Sequence, residues 1–204
     1  MILYRLSQGL VRVSLPLLGV RFRVEGLEHV PRAGAFLLLF NHQSILDPIL
    51  AQTACPRVVY SMTKSTQFAS PLMRWLVPRL GGFPTRRYQV DPQTVRTALR
   101  HLAAGRPVGI YPEGERSWDG HLQPFRRGTM RLVLKAGVPV IPCGIRGSYE
   151  VKPRWGTRLA RGEVTVRFGR PLHIPPARTR AEREARIDET AGLIAEALNA
   201  AMES

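Results

Sequence analysis

"FLLLFNHQSILDPIL", residues Phe36 to Leu50, is the stretch whose reading decides the fold. The run Ala35–Phe40 is apolar at every position, without alternation, as a strand covered on both faces would be. It breaks abruptly into the polar loop Asn41-His42-Gln43-Ser44. Asp47-Pro48 then reads as an N-cap followed by proline at the first helical position, opening a helix through about Ala54. A buried strand that hands over to a helix is the unit of an α/β sheet. The same signal recurs at Asp91-Pro92, which predicts a helix with Val95, Leu99 and Leu102 on one side and Gly105 as its stop. Further strands are predicted at Arg21–Glu25, Arg57–Met62, Pro107–Tyr111 and Glu163–Phe168. Val138–Ile145 is also read as a strand, irregular or at an edge because Pro139 and Pro142 interrupt it. Helices are predicted at Arg127–Ala136 and from a Thr179 cap to about Ala201. The expectation is one α/β domain over 21–204, with a mixed or mainly parallel central sheet flanked by helices.

A chain of 204 residues with 44% hydrophobic side chains can bury a substantial core. Its formal net charge of +15 draws polyanions: nucleic acid, an anionic bilayer surface or phosphorylated small molecules. Composition does not choose among them. Cys55 and Cys143 form neither a disulfide framework nor a metal-ligand pair of useful spacing, so both are read as small core residues in a reducing compartment. No metal site is expected. The apolar stretch Val13–Val20 is far shorter than the roughly 20 residues a membrane span needs. Residues 1–20 nevertheless read as an amphipathic helix, with Ile2, Leu6, Leu10, Val13 and Leu17 on one face and Arg5, Gln8 and Arg12 off it. That stripe either docks on the core or lies in a membrane interface.

His42 and Asp47 are five residues apart, which on a regular helix would rotate them by about 140° from each other. A histidine in the loop leaving a strand and an aspartate capping the next helix can instead be folded together. One carboxylate oxygen would cap the helix while the other accepts the imidazole N–H. That fixes the tautomer and leaves the second ring nitrogen as a general base. The same two residues could equally be a loop histidine and a structural cap.

Three further stretches weigh on the choice: "GGFPTRR" (Gly81–Arg87), "YPEGERS" (Tyr111–Ser117) and "VPVIPCGIRG" (Val138–Gly147). Together with Asn41–Asp47 as an NHxSxxD block, they make the chain resemble the glycerolipid acyltransferase family from about Val24 to Phe168. Bacterial members of that family make phosphatidic acid from lysophosphatidic acid. The resemblance implies a catalytic dyad of His42 and Asp47, in which the histidine takes the proton of the acceptor's hydroxyl. The freed oxygen attacks the carbonyl of an acyl thioester, on coenzyme A or on acyl carrier protein. No covalent acyl-enzyme, cofactor or metal is implied, so Ser44 is read as a loop-bonding residue rather than a nucleophile. Oxyanion donors are expected among backbone N–H groups near the helix start. For the acceptor lysophospholipid, Arg87 and Arg116 are candidate phosphate ligands. Gly114 would let backbone approach the ligand, and Glu113 would accept from a polyol hydroxyl or orient Arg116. Two departures from the family pattern, Arg86 where an acidic residue is frequent and Glu115 where threonine is commonest, bear on which lysolipid, aminolipid or glycolipid is the acceptor.

Lipid substrates also reweigh the apolar surface. "QFASPLMRWLVPRLGGF" (Gln67–Phe83) mixes Phe68, Leu72, Met73, Trp75, Leu76 and Leu80 with Arg74 and Arg79, the composition of an interfacial segment. The expectation is a peripheral protein on an anionic membrane surface at the cytoplasmic face, held by the N-terminal helix and this segment. A nucleic-acid partner is not expected, because the arginines are scattered rather than striped and no nucleic-acid motif is present.

Overall fold

The computed structural model describes residues 2–86 and 91–203. One seven-stranded sheet organises them, in the spatial order β1-β7-β6-β2-β5-β3-β4. The strands are β1 (Val20–Glu25), β2 (Leu37–Phe40), β3 (Tyr60–Lys64), β4 (Gly82–Thr85), β5 (Val108–Ile110), β6 (Val140–Arg146) and β7 (Gly162–Phe168). β6, β2, β5, β3 and β4 run parallel to one another. β1 and β7 form a second parallel pair, joined to the rest by the antiparallel β6–β7 ladder. The expected mixed, mainly parallel sheet is what forms.

The central strand shows why its sequence has no alternation. All four residues of β2 are buried. Leu38 and Phe40 enter one core with α1 (Ile2–Leu17) and α2 (Asp47–Ala54), while Leu37 and Leu39 enter the other. The second core is roofed by α4 (Pro92–Ala103), α5 (Arg127–Ala136) and α7 (Arg180–Glu203). Two covered faces leave no position for a polar side chain. The caps read at Asp91 and Thr179 and the stop at Gly137 act as read: the Asp91 side chain accepts from Thr94 N–H. Thr179 and Glu182 close a reciprocal capping box at the start of α7. Gly137 ends α5 at φ 60°.

Three expectations are corrected. Val138–Ile145 is not an edge: β6 lies between β2 and β7. The Pro142 carbonyl accepts from Gly169 N–H, so the missing proline N–H falls on the same side. There the ladder bulges, with pairings Val140–Leu172 and Cys143–Phe168 on either side of it. The strand read as Arg57–Met62 starts only at Tyr60, because the Arg57 guanidinium turns away to the carbonyls of Gly34 and Gly105. Gly82–Thr85 was not expected as a strand at all. It forms the edge strand β4, where Pro84 removes a donor that no neighbour needs.

The N-terminal helix forms, but its apolar stripe does not dock. Ile2, Leu6, Leu10, Val13 and Leu17 are 62–82% exposed, while Tyr4, Gln8 and Leu15 are buried. The polar side holds the helix down: Arg5 donates to Pro56 O, Gln8 to Gln52 O and Cys55 O, and Arg12 to Thr53 O. These carbonyls lie at the C-terminal end of α2 and just beyond it, where helix carbonyls lack intrahelical partners. α3 (Pro71–Arg79) contains no buried residue; Leu72 is 64% and Trp75 49% exposed, with the Arg79 guanidinium 4.2 Å over the Trp75 ring. Gln52 links the two regions, accepting from Gln8 and donating to Leu80 O. No helix among the described residues is long and apolar enough to cross a membrane.

Candidate active site

β2 delivers the polar loop to the carboxyl edge of the sheet, where parallel α/β sheets place their sites. Asn41 anchors it by bonding both backbone groups of Ile145 on β6 at 2.7 Å. Beyond it the imidazole of His42 turns to Asp47, with Nδ1 2.8 Å from Oδ2. The carboxylate can only accept, so Nδ1 carries the proton and Nε2 is left as the basic nitrogen. Asp47 is fully buried and His42 is 5% exposed.

The same carboxylate oxygen, Oδ2, also accepts from Gln43 N–H at 2.6 Å and Ser44 N–H at 2.7 Å. This differs from the expected division between a capping and a histidine-bonding oxygen. Asp47 is the first residue of α2, behind Leu46 as the cap residue, and it closes the preceding loop rather than the helix. The nearby donors are committed too: Leu46 N–H goes to Ser44 Oγ and Asp47 N–H to Ser44 O. These four N–H groups near the helix start are therefore not available to an oxyanion. Ser44 Oγ itself donates to Lys152 O at 2.7 Å, the loop-bonding role expected of it. Cys55 and Cys143 are buried, and burial pushes both thiols up, Cys55 to about 11.

The loop after β5 clamps the backbone of His42 from both sides. Glu113 Oε1 accepts from His42 N–H at 2.6 Å, and Ser117 N–H donates to His42 O at 2.7 Å. The other Glu113 oxygen accepts from Gln123 N–H at 2.9 Å. Glu113 thus accepts a backbone N–H on each oxygen and braces the histidine, while it also lines the cavity of Arg116. Burial pushes its carboxyl up to about 8, against the two N–H bonds that favour the carboxylate. Gly114 adopts φ 79°, and a Cβ there would meet the Arg126 side chain at 3.0 Å. Its conformation is needed to wrap the turn around Arg126, whose Nε donates to Glu113 O.

Arg116 lines an open cavity of about 320 Å³ with Glu113, Glu115, Trp118, Gln123 and Arg126. Glu115 does not subtract from this positive site, because Arg126 at 3.0 Å and Arg154 at 3.3 Å take up its charge. Arg86 is exposed and its N–H donates to Asp91 Oδ2. Arg87 lies outside the described residues.

Sequence reasoning missed Tyr111 and Gln43. The Tyr111 ring packs 4.2 Å from the imidazole, tilted by 33°, and shields its face. Burial first, then the charge of Asp47, raises this phenol well above its ordinary value, so it stays neutral. Gln43 donates from its amide to Gly120 O and ties the two loops together. Tyr111 adjoins the quoted YPEGERS stretch and was within reach of inspection. Gln43 carried no signal.

Comparison with known proteins bears on this geometry. A family model described as "Acyltransferase" matches residues 21–146, which include the histidine–aspartate pair and the loop after β5. A chloroplastic 1-acyl-sn-glycerol-3-phosphate acyltransferase of Brassica napus is 29% identical over 86% of this chain and 50% of its own length. A 1-acyl-sn-glycerol-3-phosphate acyltransferase of Bacillus subtilis is 25% identical over 84% of this chain and 83% of its own. The human beta form is 33% identical over 72% of this chain and 54% of its own. Against several such relatives the chain spans about half their length. The crystal structure of the 1-acyl-sn-glycerophosphate acyltransferase PlsC from Thermotoga maritima superposes with a TM-score of 0.77. It covers 98% of this chain and 81% of that one at 24% identity, and shares the fold. With well over half of its residues matched by the family model and the paired histidine and aspartate inside the matched region, this chain belongs to the acyltransferase family.

Proposed function

We propose that this protein transfers a fatty acyl group from an acyl thioester to the free hydroxyl of 1-acylglycerol-3-phosphate, giving phosphatidic acid in phospholipid synthesis. The observation that carries the reading is the buried contact between His42 Nδ1 and Asp47 Oδ2, which leaves Nε2 as a base, on a loop held by Glu113, itself part of the lining of the cavity that Arg116 and Arg126 share. Nε2 takes the acceptor's hydroxyl proton as the oxygen attacks the thioester carbonyl. Asp47 stabilises the imidazolium that forms. Collapse of the tetrahedral intermediate breaks the carbon–sulfur bond, and the imidazolium returns its proton to the departing thiolate. Arg116 binds the acceptor's phosphate, and Arg87 is a second candidate for it. The reaction asks for no cofactor or metal beyond the donor, acyl-CoA or acyl carrier protein.

An acyl-transfer assay over a panel of lysolipids with both donors tests the reading, and it predicts a preference for lysophosphatidic acid. In the Arg116→Ala variant the acceptor's KM rises about tenfold or more, the weight of a charge-assisted bidentate contact, while the donor's KM holds. Equal rises for both substrates would remove Arg116 from the phosphate site.

The exposed apolar stripe of α1 and the exposed α3, joined through Gln52, support a peripheral protein on the cytoplasmic face of the membrane. Residues 1–20 would be its interface anchor and 21–204 the acyltransferase domain. Aliphatic side chains would enter the headgroup boundary while arginines meet lipid phosphates, each adding about 1 kcal/mol near an anionic surface. The protein is expected to float with anionic vesicles at moderate salt. Failure to float would end the membrane assignment without touching the chemistry.

A further inference from the structure

Beside the site stands a cluster that the reaction as described does not use. The indoles of Trp118 and Trp155 are 61% and 55% exposed, yet they are held. Their planes lie within 9° of parallel with centroids 6.5 Å apart. Tyr149 meets Trp155 edge-on at 5.5 Å, and its hydroxyl donates to Trp118 O. Arg154 places its guanidinium 3.8 Å over Trp118 and donates to Arg116 O and Glu115. Gly120, at φ 81°, lets the loop lie on the Tyr149 ring, which a Cβ there would strike at 3.1 Å. Both limbs of the cluster are bolted to the residues around His42: Ser117 N–H to His42 O, Gln43 to Gly120 O, and Ser44 Oγ to Lys152 O.

Large aromatic faces left in solvent but fixed by polar neighbours, with cations alongside, form a stacking platform for a flat heterocycle that carries phosphate. Arg154 supplies the cation over Trp118, and Lys152 and Arg158 are its neighbours in sequence on the segment that carries Trp155. We propose that Trp118, Trp155 and Arg154 bind the carrier end of the acyl donor, stacking the adenine of coenzyme A and pairing with its phosphates. The proposal rests on the reading that the donor is an acyl thioester, and it adds a subsite that discriminates between the two thioester carriers. A bilayer is the less fitting occupant, because Trp118 shares its cavity with Glu115 and Gln123 and carries Arg154 over its ring, whereas the exposed aliphatic surface lies on α1 and α3.

The test compares Trp155→Ala and Trp155→Phe with wild type. For Trp155→Ala the ratio of kcat/KM with acyl-CoA to that with acyl carrier protein should fall about tenfold, the weight of one stacked base. Trp155→Phe keeps a π-face and should restore most of it. Independently of turnover, calorimetric titration with adenosine 3′,5′-bisphosphate should show binding to wild type that weakens by a similar factor in the alanine variant. An unchanged donor ratio, or no heat of binding up to millimolar bisphosphate, overturns the proposal. So does a loss of vesicle flotation in Trp155→Ala at an unchanged ratio, which would assign the indoles to the bilayer. A protein that acylates no lysolipid would sink the reaction above, while the titration would still read this subsite.

Discussion

Alanine in place of His42 removes acyl transfer while leaving the fold and lipid binding in place. The loss expected in kcat is at least about a hundredfold, within the range for a deleted general base. The geometry explains why the effect is confined to chemistry. The backbone of His42 is held by Glu113 and Ser117 through its N–H and C=O, which alanine retains. Its ring, by contrast, is fixed by Asp47 on one nitrogen and shielded on one face by Tyr111. Removing the ring deletes Nε2 and little else that organises the loop. Steady-state rates with saturating lysophosphatidic acid, alongside a thermal melt, measure both halves. A drop of less than about tenfold would take the base role away from His42.

Asp47 gives the second large effect, and two substitutions separate its roles. In Asp47→Asn the amide oxygen can occupy the place of Oδ2, with NH2 in place of Oδ1, which has no hydrogen-bond partner among the described residues. The three donors on Oδ2 keep an acceptor, so the fold survives, but the negative charge that stabilises the imidazolium is gone. Turnover should fall by roughly 10²–10⁴. In Asp47→Ala the His42 ring and the N–H groups of Gln43 and Ser44 are left buried without an acceptor. At about 1–3 kcal/mol for each orphaned group, partly relieved by relaxation, stability should fall by roughly 3–5 kcal/mol. Denaturant melts of both variants next to their rates make the comparison. An asparagine variant within threefold of wild-type kcat would show that the carboxylate's charge is not needed.

The charged surface has a simpler logic than its total suggests. Part of the arginine complement is committed to structure: Arg57 to carbonyls, and Arg127 and Arg131 to Glu184. The bidentate contact with Arg131 lowers Glu184 to about 2. What bears on function is where the uncommitted charge sits. Arg116 lines the cavity that Glu113 also lines, and its guanidinium makes no ion pair among the described residues.

Much of the fold could be read along the chain because local rules and burial agree. The unbroken apolar run into β2, the Asp91 and Thr179 caps and the Gly137 stop each state a preference that packing then uses. The pairing of His42 with Asp47 was legible for the same reason, since strand, loop and helix start follow one another within a dozen residues. Where two distant segments must meet, the chain says nothing by itself. Prolines argued that β6 was irregular or at an edge, and only its partner β7 decides for the first, through the bulge that absorbs Pro142. Periodicity found the stripe on α1 but could not say which side faces the protein. That depended on the carbonyls at the end of α2, which bind Gln8 and Arg12 and turn the leucines outward.

The amino-acid order alone thus determined an α/β sheet, the loop that pairs His42 with Asp47, and a helix with one oily side, because each is set by neighbours within a few positions. Tertiary structure decided that a single oxygen of Asp47 gathers three donors, that Glu113 grips the backbone behind the histidine, and that the indoles of Trp118 and Trp155 lie parallel to each other. Those are contacts across the sheet and between loops, where donor, acceptor and ring come from segments whose approach no local propensity encodes.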